Sequence, residues 1–277
     1  MGIQLIASDI DGTFLNDQQD FDHQRFQAQL DKLNERKIKF VVASGNQMAH
    51  CQEVFAGIKG DLTFVAEDGA LTIEQGKILD DNPLKPALLH DTIEYLLTTP
   101  MFKGVELILS SQHRAFTNMK MDNPEWPVSS YFYSQLTPVD HFKDIKDPIY
   151  KIDAHWVDID NVREQAALLK TALGDSLGSV MSGFNGIDIT MPHVTKAYGL
   201  QQLQNRWKVS MDETMAFGDT QNDEAMLHHA RLGYAMKNAE QEALDATELV
   251  TPLDNNDSGV MDLSLIHISE PTRHAQI

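Results

Sequence analysis

Both ends of the chain repeat one grammar. A short apolar, β-branched run stops at a carboxylate or a glycine, and a stretch with helical spacing follows. Ile3–Ser8 ends in Asp9, and Phe26, Leu30 and Leu33 then fall at i, i+4 and i+7, the stripe of an amphipathic helix. Phe40–Ala43 ends at Ser44-Gly45, a helix is expected over Gln47–Phe55, and Leu62–Ala66 ends at Glu67-Asp68-Gly69. Leu71–Leu79 reads as a hairpin around Gln75-Gly76. The pattern returns with a helix over Lys196–Trp207, a strand at Thr214–Phe217 and a helix over Asp223–Ala230. A strand at Leu232–Met236, a helix over Ala239–Ala246 and a last strand at Glu248–Thr251 complete it. Strands alternating with helices of this length specify the α/β class, with a Rossmann-like, doubly wound parallel sheet.

The stretch from Pro83 to Gly186 has a different texture. It holds most of the prolines and the aromatic sequence Trp126–Tyr133. Strands are expected at Val105–Ser110 and Tyr150–Trp156, and a helix at Val162–Leu173. We read it as an inserted α/β domain, residues 84–186, with a core built from residues 1–83 and 187–263. A length of 277 residues, at about 150 per domain, agrees with two domains. Ser258–Ile266 can start a helix that Ser269-Glu270-Pro271-Thr272-Arg273 breaks. Leu265–Ile277 resembles the translated readthrough of a cloning or sequencing adaptor, so residues 264–277 are set aside as a non-native tail.

The charge balance narrows the partners. Twenty-two Lys and Arg stand against 41 Asp and Glu, a net charge of −19. A field of that sign repels nucleic acid and anionic lipid, and neither is expected as a partner. It repels a phosphorylated metabolite too, unless a metal ion and a few cations reverse it locally. No apolar run approaches the ~20 residues of a membrane helix. Cys51 is the only cysteine, so no intrachain disulfide forms and a reducing cytoplasm is the expected location. The N-terminus has no basic n-region or signal h-region. Charge and length leave the oligomeric state open.

In open parallel sheets, ligands bind at the carboxyl ends of the strands. Four such ends are polar here: Asp9-Ile10-Asp11-Gly12-Thr13, Ser44-Gly45-Asn46, Glu67-Asp68-Gly69 and Gly218-Asp219-Thr220-Gln221-Asn222-Asp223. Carboxylates converging at one edge repel each other, and a hard divalent cation relieves that; Mg²⁺ suits a shallow oxygen-lined edge. Asp9 and Asp11 lie two apart on an extended segment, before a glycine that permits a sharp turn. One carboxylate can face a metal and a phosphorus atom while the other reaches the leaving oxygen, a nucleophile paired with a general acid/base. The competing reading is two solvated acids in a turn, since Asp-Gly is common there. Chance alone yields Asp-x-Asp-Gly-Thr in roughly under 1% of chains this long. Lys196 opens a helix eight residues after Asp188. Alone it reads as a surface lysine; beside an acidic edge it reads as an ammonium aimed at a phosphate.

Asp9–Thr13, Ser44-Gly45, Lys196 and Gly218–Asp223 resemble, in order, the four motifs of the haloacid dehalogenase superfamily. The insertion, Glu67-Asp68-Gly69-Ala70 and Ala235-Met236-Lys237-Asn238-Ala239 resemble its Cof-type branch, which carries a large α/β (C2B) cap. Val41–Gln47 and the cap sequence are similar to bacterial sugar phosphatases. The resemblance spans about residues 3–263. It implies a Mg²⁺-dependent phosphomonoesterase acting on small sugar phosphates. Asp9 would be the nucleophile that becomes an aspartyl phosphate, and Asp11 the acid and then the base. Asp9, Asp219 and the Asp11 carbonyl would bind Mg²⁺, with Asp223 supporting a metal-bound water or orienting its ligands. Ser44, Gly45 and Lys196 would grip the phosphoryl group, Thr13 would orient the loop, and Asn222 the phosphate or Asp223.

The chain departs from the family pattern at several points. Ser44 replaces a commoner Thr, Asn46 a common Arg, Asp68 an Asn and Thr220 a Ser, and the family's terminal helix is expected to be missing or overwritten by the tail. Three other functional readings stay open: a phosphomutase-type transferase, a phosphatase for pyridoxal phosphate or FMN, and a binding protein without catalysis. His228-His229 lack metal-ligand spacing, and Cys51 reads as a small core residue. Trp126, Tyr131, Phe132 and Tyr133 either line a sugar-binding cap face or pack in a core. Asp188 either sits between cap and core and holds Lys196, or serves as a helix cap or hinge.

Overall fold

A computed structural model describes residues 2–60, 62–156, 162–182 and 186–269. The chain begins with β1 (Leu5–Ser8), α1 (His23–Glu35), β2 (Lys39–Ala43), α2 (Met48–Val54) and β3 (Leu62–Ala66), and then turns back through β4 (Leu71–Glu74) and β5 (Lys77–Asp81). A second set follows: α3 (Pro86–Thr98), β6 (Glu106–Ser110), β7 (Ala115–Thr117), α4 (Trp126–Phe132), β8 (Leu136–Pro138), β9 (Lys151–His155), α5 (Val162–Leu173), β10 (Gly178–Ser182) and β11 (Gly186–Thr190). The chain ends with α6 (Lys196–Trp207), β12 (Thr214–Gly218), α7 (Glu224–His229), β13 (Leu232–Ala235), α8 (Gln241–Asp245), β14 (Leu249–Val250) and α9 (Gly259–Ser269).

The first sheet has the order β14-β13-β12-β1-β2-β3-β4-β5. Its strands from β14 to β3 are parallel, and β4 and β5 are antiparallel. Successive residues divide between two cores. Ile6, Phe40 and Val42 face the α1 side, with Phe14 and Phe26. Leu5, Ala7, Val41 and Ala43 face the side packed by Leu200 and Leu203 of α6. Burial on both faces is why these strands read as unbroken apolar runs rather than alternating ones. The chain leaves β1 toward β2 on one side and reaches its other neighbour, β12, only at the end. The carboxyl end of β1 is therefore a switch point, where a crevice opens.

The helices have sequence-encoded ends. The Asp22 side chain accepts from Arg25 N at the start of α1, and Thr195 accepts from Tyr198 N at the start of α6. Each satisfies an amide with no partner inside its helix. Lys208 closes α6 in the left-handed region, at φ 58°.

The second sheet has the order β10-β11-β9-β6-β7-β8. Leu107, Leu109, Ile152, Ala154, Ile187 and Ile189 point to one face and form a core with α3 and α5. The intervening residues of β9 and β11 (Lys151, Asp153, His155 and Asp188) therefore point to the other face. The departing and returning segments touch. A Cβ on Gly69, at φ +100°, would lie 2.0 Å from the Thr195 carbonyl oxygen. Among the described residues, no helix is long and apolar enough to cross a membrane.

Two expectations need correction. β11 lies beyond the expected boundary at 186/187, yet it pairs with β9, Asp188 opposite Asp153, and with β10. The alternation Ile187-Asp188-Ile189 matches the amphipathic second sheet. The terminal helix is present: α9 runs to Ser269, held by buried Val260, Met261 and Leu263, by Gln29 Nε2 donating to Met261 O at 2.9 Å, and by an Arg25–Asp262 ion pair. Residues 270–277 of the expected tail lie outside the described residues. Helices α3 and α4 and strands β7, β8, β10 and β11 were not expected from the sequence. Cys51 is buried as a core residue, with its thiol pushed well up by burial.

Candidate active site

The four polar strand ends meet at one edge. Asp9 follows β1, Ser44 follows β2, Glu67 and Asp68 follow β3, and Asp219 follows β12. Lys196 enters from the first turn of α6, fully buried. Its ammonium donates to Asp9 Oδ1 at 2.7 Å, Asp223 Oδ1 at 2.8 Å and Asn222 Oδ1 at 3.1 Å. Burial alone would lower its pKa, but Asp223 and Asp9 outweigh that and raise it. Lys196 is a cation locked among carboxylates, not the surface lysine of its lone reading.

Asp223 commits both oxygens. Oδ1 takes Lys196, and Oδ2 accepts from the backbone N–H groups of Asp219 at 2.9 Å and Thr220 at 3.1 Å. It fixes the loop that aims Asp219. Thr13 Oγ1 donates to Asp219 Oδ1 at 2.7 Å. Asp9 and Asp219 thus each keep an oxygen for a cation. Carboxylate oxygens of Asp9, Asp219 and Asp223 lie within 4.8 Å of one another. Burial pushes Asp9 well above the ordinary carboxylate range against the pull of Lys196, and burial with Asp223 pushes Asp219 up to about 7. Negative charge there is undercompensated, and an all-oxygen donor set of this kind fits Mg²⁺. Gly12 keeps the space: at φ +69°, a Cβ would lie 2.2 Å from Asp219 Oδ2.

Asp11 is set apart from this trio. Asn46 Nδ2 donates to Asp11 Oδ2 at 2.6 Å, while buried Oδ1 has no partner. Burial raises its pKa, which favours a protonated carboxyl able to donate. Asn46, expected only as a lost cation, holds this acid. Ser44 Oγ accepts from Asn46 N at 3.1 Å, and Gly45 is pressed by Asp68 Oδ1, 2.9 Å from where its Cβ would be. Asn222 is engaged on both sides: Oδ1 accepts from Lys196 and from Thr220 Oγ1 at 2.9 Å, and Nδ2 donates to Asp68 at 3.1 Å. It orders the lysine and Asp68 rather than touching Asp223. Asn238 Nδ2 donates to Gly12 O at 2.7 Å.

A cavity lies between this edge and the polar face of the second sheet. Asp9, Asp11, Ser44 and Asn46 line it from below, and Lys151, Asp153, His155 and Tyr133 from above. Phe132 and Tyr133 line it, whereas Tyr131 is exposed and Trp126 half-buried outside it. Asp188 lines it too, but holds Lys151 rather than Lys196, at 3.1 Å. The Lys151 ammonium also donates to Gly45 O at 2.5 Å, tying the second sheet to the phosphate-side loop. Sequence reasoning missed Lys151, Asp153 and His155. The available signal was polar residues at i, i+2 and i+4 within the expected strand Tyr150–Trp156.

The family model described as haloacid dehalogenase-like hydrolase matches residues 6–263. The 5-amino-6-(5-phospho-D-ribitylamino)uracil phosphatase YbjI of Escherichia coli strain K12 is 36% identical over 263 residues, 95% of each chain. An HMP-PP phosphatase of Citrobacter koseri is 26% identical over 248 residues, 85% of each. The crystal structure of SMU.1108c from Streptococcus mutans UA159 superposes with a TM-score of 0.90 at 30% identity, over 97% of this chain and 100% of that one.

Proposed function

The chain belongs to the haloacid dehalogenase-like hydrolases, in their Cof-type phosphatase branch, and from that membership we propose that it hydrolyses small sugar and sugar-alcohol phosphates through an aspartyl phosphate on Asp9. The observation that carries this reading is one cavity in which buried, lysine-paired Asp9 and half-free Asp11 stand under a polar roof. Asp9 attacks phosphorus, forming the aspartyl phosphate as the ester P–O bond breaks. Asp11 gives its proton to the departing alcohol oxygen. As a carboxylate, Asp11 then takes a proton from a water whose oxygen attacks the same phosphorus, releasing inorganic phosphate and restoring Asp9. Lys196, Ser44 and the Gly45 N–H hold the phosphoryl oxygens as charge develops on them. Asp9, Asp219 and the Asp11 carbonyl would hold Mg²⁺, which would supply positive charge to offset the substrate's negative charge and the site's own. Asp223 positions Asp219 and Lys196.

The second sheet lies over the site, which favours a small phosphorylated metabolite over a protein surface as substrate. The Escherichia coli relative's name gives it a phosphorylated ribityl chain as substrate, a sugar-alcohol phosphate. One buried cysteine suits a reducing cytoplasm. The test is phosphate release from a panel of sugar phosphates, sugar-alcohol phosphates, nucleotides, pyridoxal phosphate and FMN, with Mg²⁺ and with EDTA. Metal-dependent release concentrated in the sugar and sugar-alcohol phosphates, abolished by Asp9→Asn, is the expected result. Undiminished release in Asp9→Asn overturns the nucleophile, and release unaffected by EDTA overturns the metal.

A further inference from the structure

The roof of the cavity carries buried polar atoms that the chemistry below does not use. Lys151, Asp153 and His155 lie on β9 at period two, on one face. The strand register sets Asp188 opposite Asp153 and Glu106 opposite His155. Lys151 is already spent on Gly45 O and Asp188 Oδ2. Tyr133 donates its hydroxyl to Asp153 Oδ2 at 2.9 Å. Asp153 Oδ1 and both ring nitrogens of His155 are buried without a hydrogen-bond partner, while Asp188 meets the Asp68 carboxyl. His155 is 9% exposed; its nitrogens stand 3.3 Å from Glu106 Oε2 and 3.8 Å from Asp153 Oδ1, without hydrogen-bond geometry.

An unmade buried hydrogen bond is costly, so native proteins leave few of them. Three such atoms beside one cavity mark a surface shaped for a ligand. The acids of that surface are Asp153, Asp188 and Glu125, against one ammonium that is already paired. It offers acceptors to hydroxyl and N–H donors, and it repels a second anion.

On the reading of Asp9 as a phosphatase nucleophile, we propose that Asp153, with His155 beside it, selects the leaving group. It binds uncharged, hydroxyl- or amine-rich leaving groups and rejects those carrying a second phosphate or a carboxylate. Asp153 acts on the part of the substrate remote from phosphorus, so its removal moves KM for substrates bearing such groups and spares those without them.

The test compares the parent, Asp153→Ala and Asp153→Asn on ribitol 5-phosphate, fructose 1,6-bisphosphate and p-nitrophenyl phosphate. Losing a hydrogen bond to a charged acceptor predicts a fall of roughly 10–100-fold in kcat/KM for ribitol 5-phosphate in Asp153→Ala, through KM. The p-nitrophenyl ester, which has no donor to offer, should change by less than about twofold. Asp153→Asn should narrow the preference over the bisphosphate by roughly fivefold or more, since the repelling charge is gone. An equal fall on all three substrates, or an unchanged ribitol 5-phosphate KM, overturns the assignment. A parent that hydrolyses none of the three esters with Mg²⁺ overturns the phosphatase reading instead. In that case calorimetric binding of ribitol 5-phosphate decides the roof: equal affinity in parent and Asp153→Ala refutes it, and weaker binding in the variant upholds it.

Discussion

Glu67→Gln should make the protein more stable, and increasingly so as the pH rises. Glu67 is wholly buried at the end of β3, in the left-handed region at φ 53°. Its Oε1 accepts from Ser110 Oγ at 2.7 Å and Met48 N at 3.4 Å, while Oε2 has no partner. Burial pushes its pKa from 4.5 to about 7, against the pull of Lys151. A carboxyl whose folded pKa is raised contributes stability that is complete below its unfolded pKa. That contribution is lost as the pH climbs through the folded value. The displacement from 4.5 to about 7, at about 1.4 kcal/mol per pH unit, amounts to about 3 kcal/mol by pH 8. At pH 5 the same linkage leaves a difference of about 1 kcal/mol or less. Glutamine keeps the oxygen that Ser110 and Met48 use and carries no charge at either pH. The assay is thermal denaturation of parent and variant at pH 5 and pH 8, both in EDTA so that cation binding does not enter. At about 2–4 °C per kcal/mol, the variant should melt roughly 6–12 °C higher at pH 8 and close to the parent at pH 5. A variant gain that does not grow with pH, or a loss at pH 8, refutes the argument that this carboxylate is held charged at a cost.

Lys196→Met removes the cation between Asp9 and Asp223 and leaves both carboxylates buried and facing each other. It should cost about 3–5 kcal/mol of stability in EDTA, read by denaturant unfolding, and lower kcat/KM by roughly 10²-fold or more. Gly12→Ala places a Cβ where Asp219 Oδ2 stands and forces alanine to φ +69°. The Mg²⁺ concentration for half-maximal phosphatase activity should rise about 10–100-fold, with a backbone cost of about 1–3 kcal/mol.

The first sheet was readable because its central strands are buried on both faces, and runs such as Phe40–Ala43 admit few other structures. The acid edge was readable because Asp11 and Asp219 adjoin glycines, and Asp9 lies two residues before Asp11, at strand ends where the fold class itself places ligands. The second sheet was harder, because its strands are short and take their identity from distant partners. Nothing near Gly186–Thr190 says that it pairs with residues some thirty-five positions earlier, so β11 was assigned to the wrong side of the boundary. Leu89, Ile93 and Leu96 did carry the stripe of α3, behind a proline at its first position, and went unread. Asp188 was given either Lys196, its near neighbour in sequence, or a helix-cap or hinge role. The strand register sets it opposite Asp153, and Lys151, two residues along the same face, holds it instead, a pairing that spacing along the chain does not encode.

The contact between Gly69 and Thr195 also bears on how such a protein changes over generations. Departure and return meet at one point, so the hundred-odd residues strung between them form a loop whose ends are already closed. The entropic cost of closing such a loop grows only with the logarithm of its length. The eight-stranded sheet therefore tolerates insertions, deletions or wholesale replacement above it far better than changes within it, as inserted units with adjacent ends generally do. What reads the leaving group and what breaks the ester are thus separate heritable units. A lineage can acquire a new substrate by exchanging one segment while the aspartates beneath stay in place.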